Sequence, residues 1–367
     1  NSRLIISKNK KILLLSKFNK CKTLIKNKII KKNEFLDIDK FPNKISQLTG
    51  INFIIDDKSC SIFYENLIKS KFKIKSREDP IYFLKSIKNK IEINNTIKAH
   101  ILDGVALTKF LYWIKMSKKK ITEVDAEKKL EKFRRMNKSF LYPSFDTIAG
   151  SGENGAIVHY RAKKKSCRTI DKKDIFLCDS GGQYRYGTTD VTRTICFSNQ
   201  SKNIKNIFTK VLKGHIAVAT TNLNKDDTGK KIDKRARKFL KNSNLDYAHG
   251  TGHGVGFFLN VHEGPQSITK INNVKIKEGM ILSNEPGYYK EKKFGIRIEN
   301  LVYVNRKNKN LFFENLTMAP IEKDLINFKL LNKSERNYLF KYHLNVYAKI
   351  SRYLNRNEKK WLASFIN

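Results

Sequence analysis

What is missing narrows the reading first. No apolar run approaches the roughly 20 residues that a bilayer-crossing helix needs, and the 40% hydrophobic content is spread in short pieces over 367 residues. That length and content allow a large core and more than one domain. No disulfide framework is readable either. The five cysteines, at 21, 60, 167, 178 and 196, are scattered, odd in number and never paired as CxxC. Such usage fits reduced thiols and a cytoplasmic setting. Acid is scarce: 34 Asp and Glu stand against 75 Lys and Arg, a formal charge of +41. An excess of this size can mark a nucleic-acid binder. Here the lysine bias runs through the whole chain and confines no basic stripe to one element. It reads as solvated surface, with nonspecific attraction to polyanions at low salt and no specific nucleic-acid or membrane partner.

In chain order, short apolar runs at 12–15, 53–55 and 61–64 predict a partial, small α/β domain over residues 1–87, preceded by sequence upstream of Asn1. Apolar residues at helical spacing predict a helix over 88–117, with His100 and Asp103 on its solvent face. Thr122 with Asp125 predicts a capped helix through Arg135. Strands follow: 148–160, ending beside His159, then 175–178 running into Asp179, then the phrase TTDVTRTICF. A hairpin between the last two brings Asp179 and Asp190 together, and two close carboxylates need a shared proton or a cation. Helices are expected over 201–222, with a structural His215, and over 229–241. A strand at 280–282 leads to Glu285, and one over 295–304 puts Arg297 and Glu299 on one face. Two amphipathic helices close the chain beyond Asn332, with Leu339, Leu344, Ile350 and Leu354 among their apolar contacts. Their tail, with Trp361, Leu362 and Phe365, predicts a dimer contact.

The most distinctive stretch is 249–265, HGTGHGVGFFLNVHEGP. Glycines at 250, 252, 254 and 256 argue against a helix. On a strand they share one bare face, open to a close backbone or a ligand, and His249 and His253 point to the other. Their Cα atoms would stand about 13 Å apart, too far to share an ion. Taken together, Asp179, Asp190, His253, Glu285 and Glu299 offer four carboxylates and one imidazole. Hard oxygen donors with one nitrogen suit Mn²⁺, Co²⁺, Zn²⁺ or Fe²⁺, and four carboxylates exceed the needs of one ion.

The phrases DSGGQYRYGTTDVTRT, HGTGHGVGFFLNVHEGP and EPGYYKEKKFGIRIEN, with ENGAIVHY and the LTMAPI tail, resemble aminopeptidase P (Xaa-Pro aminopeptidase). This is a metallopeptidase family with the creatinase, or pita-bread, fold. The match spans roughly residues 90–367 and is similar to the long, three-domain cytosolic type without its first domain. The resemblance implies an α+β chain with a pita-bread catalytic domain over 88–315, a C-terminal helical extension over 316–367 and a partial non-catalytic domain before them. It implies two divalent ions, Mn²⁺ first, with Zn²⁺ or Co²⁺ as alternatives. Asp179 would hold one, Asp190 and Glu299 would bridge, and His253 with Glu285 would complete the second. A hydroxide bridging the two ions would attack the N-terminal Xaa-Pro bond, with Glu285 taking the proton. His159, His249 and His262 would face the substrate, a peptide with proline in second position, and Arg297 would orient carboxylates beside it. Tyr186 departs from the aspartate the family commonly has before GTTD. A prolidase-like dipeptidase, or a silent peptide-binding module of the same fold, is the alternative.

Overall fold

Asn89 opens the longest helix, because its side chain accepts from the amides of Ile91 and Glu92 while the Asn89 amide donates to the Glu92 carboxylate. This helix, α1 (Lys90–Met116), belongs to the larger of two compact units, Tyr82–Asn367; the smaller is Asn1–Ile81. The structure, a computed structural model, describes residues 2–258 and 260–366. The smaller unit has the expected α/β character. A three-stranded sheet and a parallel pair at 52–55 and 73–76 enclose a core of Leu15, Phe41, Ile45, Ile55, Ile68 and Phe72.

In the larger unit, α2 (Glu123–Arg135) is capped by Thr122 and Asp125 as expected. The expected solvent face of α1 is wrong at two positions. His100 and Asp103 are each 2% exposed, because Arg134 of α2 reaches Asp103 with two bonds of 2.7 and 3.2 Å and the Tyr184 hydroxyl donates a third at 2.8 Å. A buried acid is tolerable when it is paired and hydrogen-bonded in this way.

Strands β1 (Ile148–Ser151), β2 (Ile175–Ser180) and β3 (Val191–Cys196) form one antiparallel sheet with β2 in the middle. The strand expected over 148–160 stops at Ser151, where a short helical turn at Gly152–Ala156 takes over. Helices α3 (Lys202–Ala219) and α4 (Gly229–Lys241) pack on each other. Next come β4 (Gly252–His253) and β5 (Ile281–Asn284), then the hairpin of β6 (Gly287–Lys290) and β7 (Phe294–Arg297). β8 (Asn300–Lys307) lies between β5 and β9 (Asn310–Asn315). The strand expected over 295–304 is therefore two, broken at 298–299.

Helices α5 (Lys333–Ile350) and α6 (Arg356–Ala363) close the chain. Their Leu339, Ile350 and Leu362, with Leu354 from the connection between them, enter the main core with Ile207, Val211 and Leu212 of α3, whereas Leu344 is 45% exposed. Leu362 and Phe365 are buried inside the chain, so the apolar surface on which a dimer contact was expected is largely taken up internally.

Candidate metal centre

Backbone pairing builds the site. β2 and β3 run antiparallel with Thr192 opposite Asp179, and Asp190 ends the loop just before β3. The hairpin thus brings Asp179 and Asp190 together, as alternation along the two strands requires. Glu299 sits in the break between β7 and β8, where its amide donates to the carbonyl of Thr192 at 3.1 Å. Glu285 follows β5, and its amide donates to the carbonyl of Thr251 at 2.8 Å.

The stretch 249–256 is not a continuous strand. Only Gly252 and His253 pair, with Ser267 and Ile268, and the rest finds partners one by one. The bare face predicted for the glycines is real all the same. A Cβ on Gly252 would lie 2.0 Å from the carbonyl oxygen of Ser283, and one on Gly254 2.0 Å from that of Glu263.

Donor atoms gather into two overlapping triads, each within 4.8 Å: Asp179, Asp190 and Glu299, and His253, Glu285 and Glu299. Glu299 belongs to both. The Nδ1 of His253 lies 2.9 Å from the carbonyl of Gly254. A carbonyl only accepts, so Nδ1 carries the hydrogen and Nε2 faces Asp190 at 3.4 Å and Glu285 at 3.5 Å. His262, exposed, lies against His253 with ring centres 3.8 Å apart and planes tilted by 41°, and joins a third triad with His253 and Asp190.

The electrostatics follow from crowding. Burial, then the charges of Asp179 and Glu285, push Asp190 well above the usual carboxylate range. Burial, then Asp190, Glu285 and Asp179, do the same to Glu299. Burial also pushes Glu285 up, but His253, His249 and Arg297 outweigh it and hold it below its ordinary value. Burial lowers His249, and lowers His262 with help from His253.

These residues fit divalent cations. Asp179 Oδ1 is buried with no hydrogen-bond partner among the described residues, while its Oδ2 takes a 2.7 Å bond from Arg297. Four carboxylates here are set against one guanidinium, that of Arg297, and the imidazoles of His253 and His262. By contrast, the triad of Cys196, Glu322 and Asp324 already holds the Lys115 ammonium, at 2.7 and 3.1 Å from its two acids.

His249 stands apart from the triads. Its Nδ1 donates to the carbonyl of Gly250 at 2.7 Å, which leaves Nε2 to accept from the Tyr289 hydroxyl at 2.8 Å. Tyr289 in turn accepts from Arg297, so a line of bonds runs from Asp179 through Arg297 and Tyr289 to His249. His159 lies exposed in a turn beyond β1, near enough to His262 to add to the lowering of that ring. Tyr186 is half-buried, with the Lys98 ammonium 5.1 Å over its ring.

Several supporting residues escaped the sequence reading. Tyr289 is one. Thr192 is another: its hydroxyl donates to Glu299 at 2.8 Å and accepts from Arg297 at 3.1 Å. Arg193, 1% exposed, binds the carbonyls of Glu299 and Pro320 at 2.6 and 2.9 Å. Lys88 is the fourth. Its side chain, fully buried, pairs with Glu263 at 3.2 Å, directly after His262.

Comparison with known proteins agrees with this geometry. The family model described as metallopeptidase family M24 matches residues 94–306, and that of the C-terminal region of peptidase M24 matches 309–365. A "Probable Xaa-Pro aminopeptidase P" of Laccaria bicolor is 46% identical over 299 residues, 77% of this chain and 47% of that protein. One from Pyrenophora teres f. teres is 43% identical over 300 residues, 78% and 46% of the two chains. The chain thus spans about half the length of these curated relatives. Among solved structures, a cytosolic X-prolyl aminopeptidase from Caenorhabditis elegans with a di-nuclear active site superposes with a TM-score of 0.88 at 28% identity, over 100% of this chain and 63% of that one. A prolidase from Pyrococcus furiosus gives 0.69 at 26%, over 85% and 88%. The α+β, pita-bread architecture is common to these neighbours and to this chain. A site of shared carboxylates, on this fold and under these matched motifs, has one family to which it corresponds: the chain belongs to metallopeptidase family M24.

Proposed function

We propose that this chain carries a dinuclear metallo-aminopeptidase site that hydrolyses the first peptide bond of chains with proline second. The observation that carries the reading is the sharing of Glu299 between an all-carboxylate triad and one containing His253. Asp179 would hold one ion, Asp190 and Glu299 would bridge, and His253 with Glu285 would complete the second, with Mn²⁺ the first choice and Zn²⁺ or Co²⁺ the alternatives. When bound, the ion pair supplies Lewis acidity and an acidified water as nucleophile.

The chain's own residues do the rest. Glu285, held ionised by the groups around it, His253, His249 and Arg297, accepts the proton of the attacking water. Arg297 fixes one oxygen of Asp179, whose other oxygen has no hydrogen-bond partner among the described residues. Through Tyr289 it also sets the ring plane of His249. His249, His262 and His159 line the approach to Glu285 and orient the peptide. The Xaa-Pro bond has no N–H to grip, so orientation has to come from such groups around the carbonyl and leaving nitrogen.

The names of the relatives support the substrate class, and the cytosolic neighbour, with five free cysteines here, supports a cytoplasmic reading. Among the described residues no helix is long and apolar enough to cross a membrane. We read 88–315 as the catalytic domain, 316–367 as its helical extension and 1–87 as part of a non-catalytic domain. A homodimer through the terminal helices belongs to the same proposal. Phe340 and Leu344 stand exposed one turn apart on α5, and sedimentation as a monomer at high micromolar concentration would remove it.

Release of the first residue from Xaa-Pro-Xaa and Xaa-Pro peptides, with Mn²⁺ and with excess chelator, tests the reading. Tripeptide cleavage that chelation abolishes is expected. Cleavage of dipeptides alone would turn the assignment to a prolidase, which the superposition with such an enzyme keeps in view. Metal-loaded protein that cleaves neither would be a silent peptide-binding module.

A further inference from the structure

A cavity of about 810 Å³ opens between the C-terminal part of α1, the loop after it, α2 and Glu358 of α6, and none of the residues assigned to hydrolysis lines it. Seven of its fifteen lining residues are lysines, against 75 Lys and Arg in the 367 residues of the chain. The general lysine bias therefore does not account for it. Its two acids are already tied into helix caps. Asp125 accepts from the amide and hydroxyl of Thr122 at 3.1 and 2.6 Å, and Glu358 from the amide of Asn355 at 2.9 Å.

The floor is aromatic. Tyr112, Trp113 and Phe133 are half-buried there, and the edge of the Tyr112–Trp361 pair supports it with ring centres 5.9 Å apart. The Lys129 ammonium stands 5.2 Å over Trp113 and 5.0 Å over Phe133. The exposed lysines of the loop, Lys118, Lys119 and Lys120, line the same cavity.

We propose that this cavity binds a nucleoside polyphosphate. Ammonium groups gathered round one cavity repel one another, and a ligand with several negative charges relieves that. An aromatic floor adds a demand for a planar ring. A base laid on Trp113 displaces the Lys129 ammonium from its face and exchanges a cation–π contact for the stronger base stack. Lys129 then joins Lys118, Lys119 and Lys120 around the phosphates. The volume lies in the range of small-molecule sites. Single-stranded nucleic acid would call instead for successive aromatic platforms along a groove, and this is one platform in one cavity.

Calorimetric titration of the intact chain with ATP, tripolyphosphate and adenosine, in excess Mg²⁺, tests the proposal. ATP should bind about tenfold tighter than tripolyphosphate, the margin contributed by the stacked base, and adenosine should not saturate. ATP should also change tryptophan emission, because one of the chain's two tryptophans is in the floor and the other touches Tyr112. The triple variant K118A/K119A/K120A should weaken ATP binding about tenfold or more. It should keep the wild-type melting temperature and peptide hydrolysis. The control K163A/K164A/K165A, which removes three equally exposed lysines elsewhere, should leave ATP binding unchanged. Equal losses in the two triple variants, or equal affinity for ATP and tripolyphosphate, would reduce the cavity to nonspecific polyanion attraction and overturn the proposal. Tighter binding of oligo-dT than of ATP, competing with it, would assign the site to nucleic acid instead.

Discussion

Replacing Lys88 by methionine should destabilise the larger unit and damage the site without touching a donor atom. Lys88 is fully buried, and burial holds its ammonium below the ordinary lysine value even with Glu263 beside it. Glu263 is 4% exposed in its side chain; it takes Lys88 on one oxygen at 3.2 Å and Lys85, 39% exposed, on the other at 2.9 Å. Breaking a buried pair by removing one partner costs about 3–5 kcal/mol. Lys85 remains as a partner, so about 2–3 kcal/mol is expected for Lys88→Met. For a unit of this size that corresponds to a melting temperature lower by about 3–5 °C. Glu263 also lies between the two histidines of the site: its amide donates to the carbonyl of Gly254 at 2.7 Å, next to His253, and His262 precedes it. A shift of the loop by a fraction of an ångström should therefore lower kcat/KM by about 10- to 100-fold. The double variant Lys88→Met/Glu263→Leu removes both charges and should recover most of the lost stability, as apolar replacements of buried pairs do. Calorimetry with peptide kinetics on the wild type, both single variants and the double closes the cycle. A double variant less stable than Lys88→Met would refute the reasoning, since the stranded charge would then not be the source of the loss.

His253→Ala should lose metal together with activity, whereas His249→Ala should keep both ions and lose mainly kcat, by about 10²–10⁴-fold; bound metal and kcat measured on both variants decide which histidine is the ligand. Glu299→Gln should weaken both ion sites at once, because its oxygens belong to both triads, and metal analysis finding two tightly held ions would count against a bridge. Acid should destabilise the fold through His215 and His343, which burial lowers from 6.5 to about 3. Below about 6.5 the unfolded chain takes up protons that the folded one refuses, so stability falls from that pH toward 3, by about 2 kcal/mol per histidine at pH 5. Urea midpoints between pH 7.5 and 5 should fall less steeply in a His215→Gln/His343→Gln variant.

The sequence disclosed the acids because their logic is local. Asp179 lies on β2 and Asp190 directly before β3, and the alternation of these two paired strands puts both acids on one face without knowledge of the rest of the chain. Gly252 and Gly254 likewise announce a close backbone. What they do not reveal is whose backbone it is. The reading of 249–256 as one strand failed because its amides find unrelated acceptors: Gly254 donates to Gln266, Val255 to Ile281. Pairing of that kind leaves no periodic trace. Asp103 failed for the same reason at longer range, since a lone acid on a helix becomes buried only through an arginine 31 residues away. Arg193 is the instructive omission, because a signal was present. It lies on the face of β3 that carries Val191 and Ile195, opposite the face of Thr192 and Thr194, and an arginine among apolar neighbours breaks the pattern of its own strand. Such a break implies partners, because a buried guanidinium cannot go unpaired. The structure supplies them: the carbonyls of Glu299, Ala319 and Pro320, the Asn300 side chain and the Tyr342 hydroxyl. One violated alternation thus marks the residue that holds the chain at the shared carboxylate, from the side of the sheet away from the chemistry.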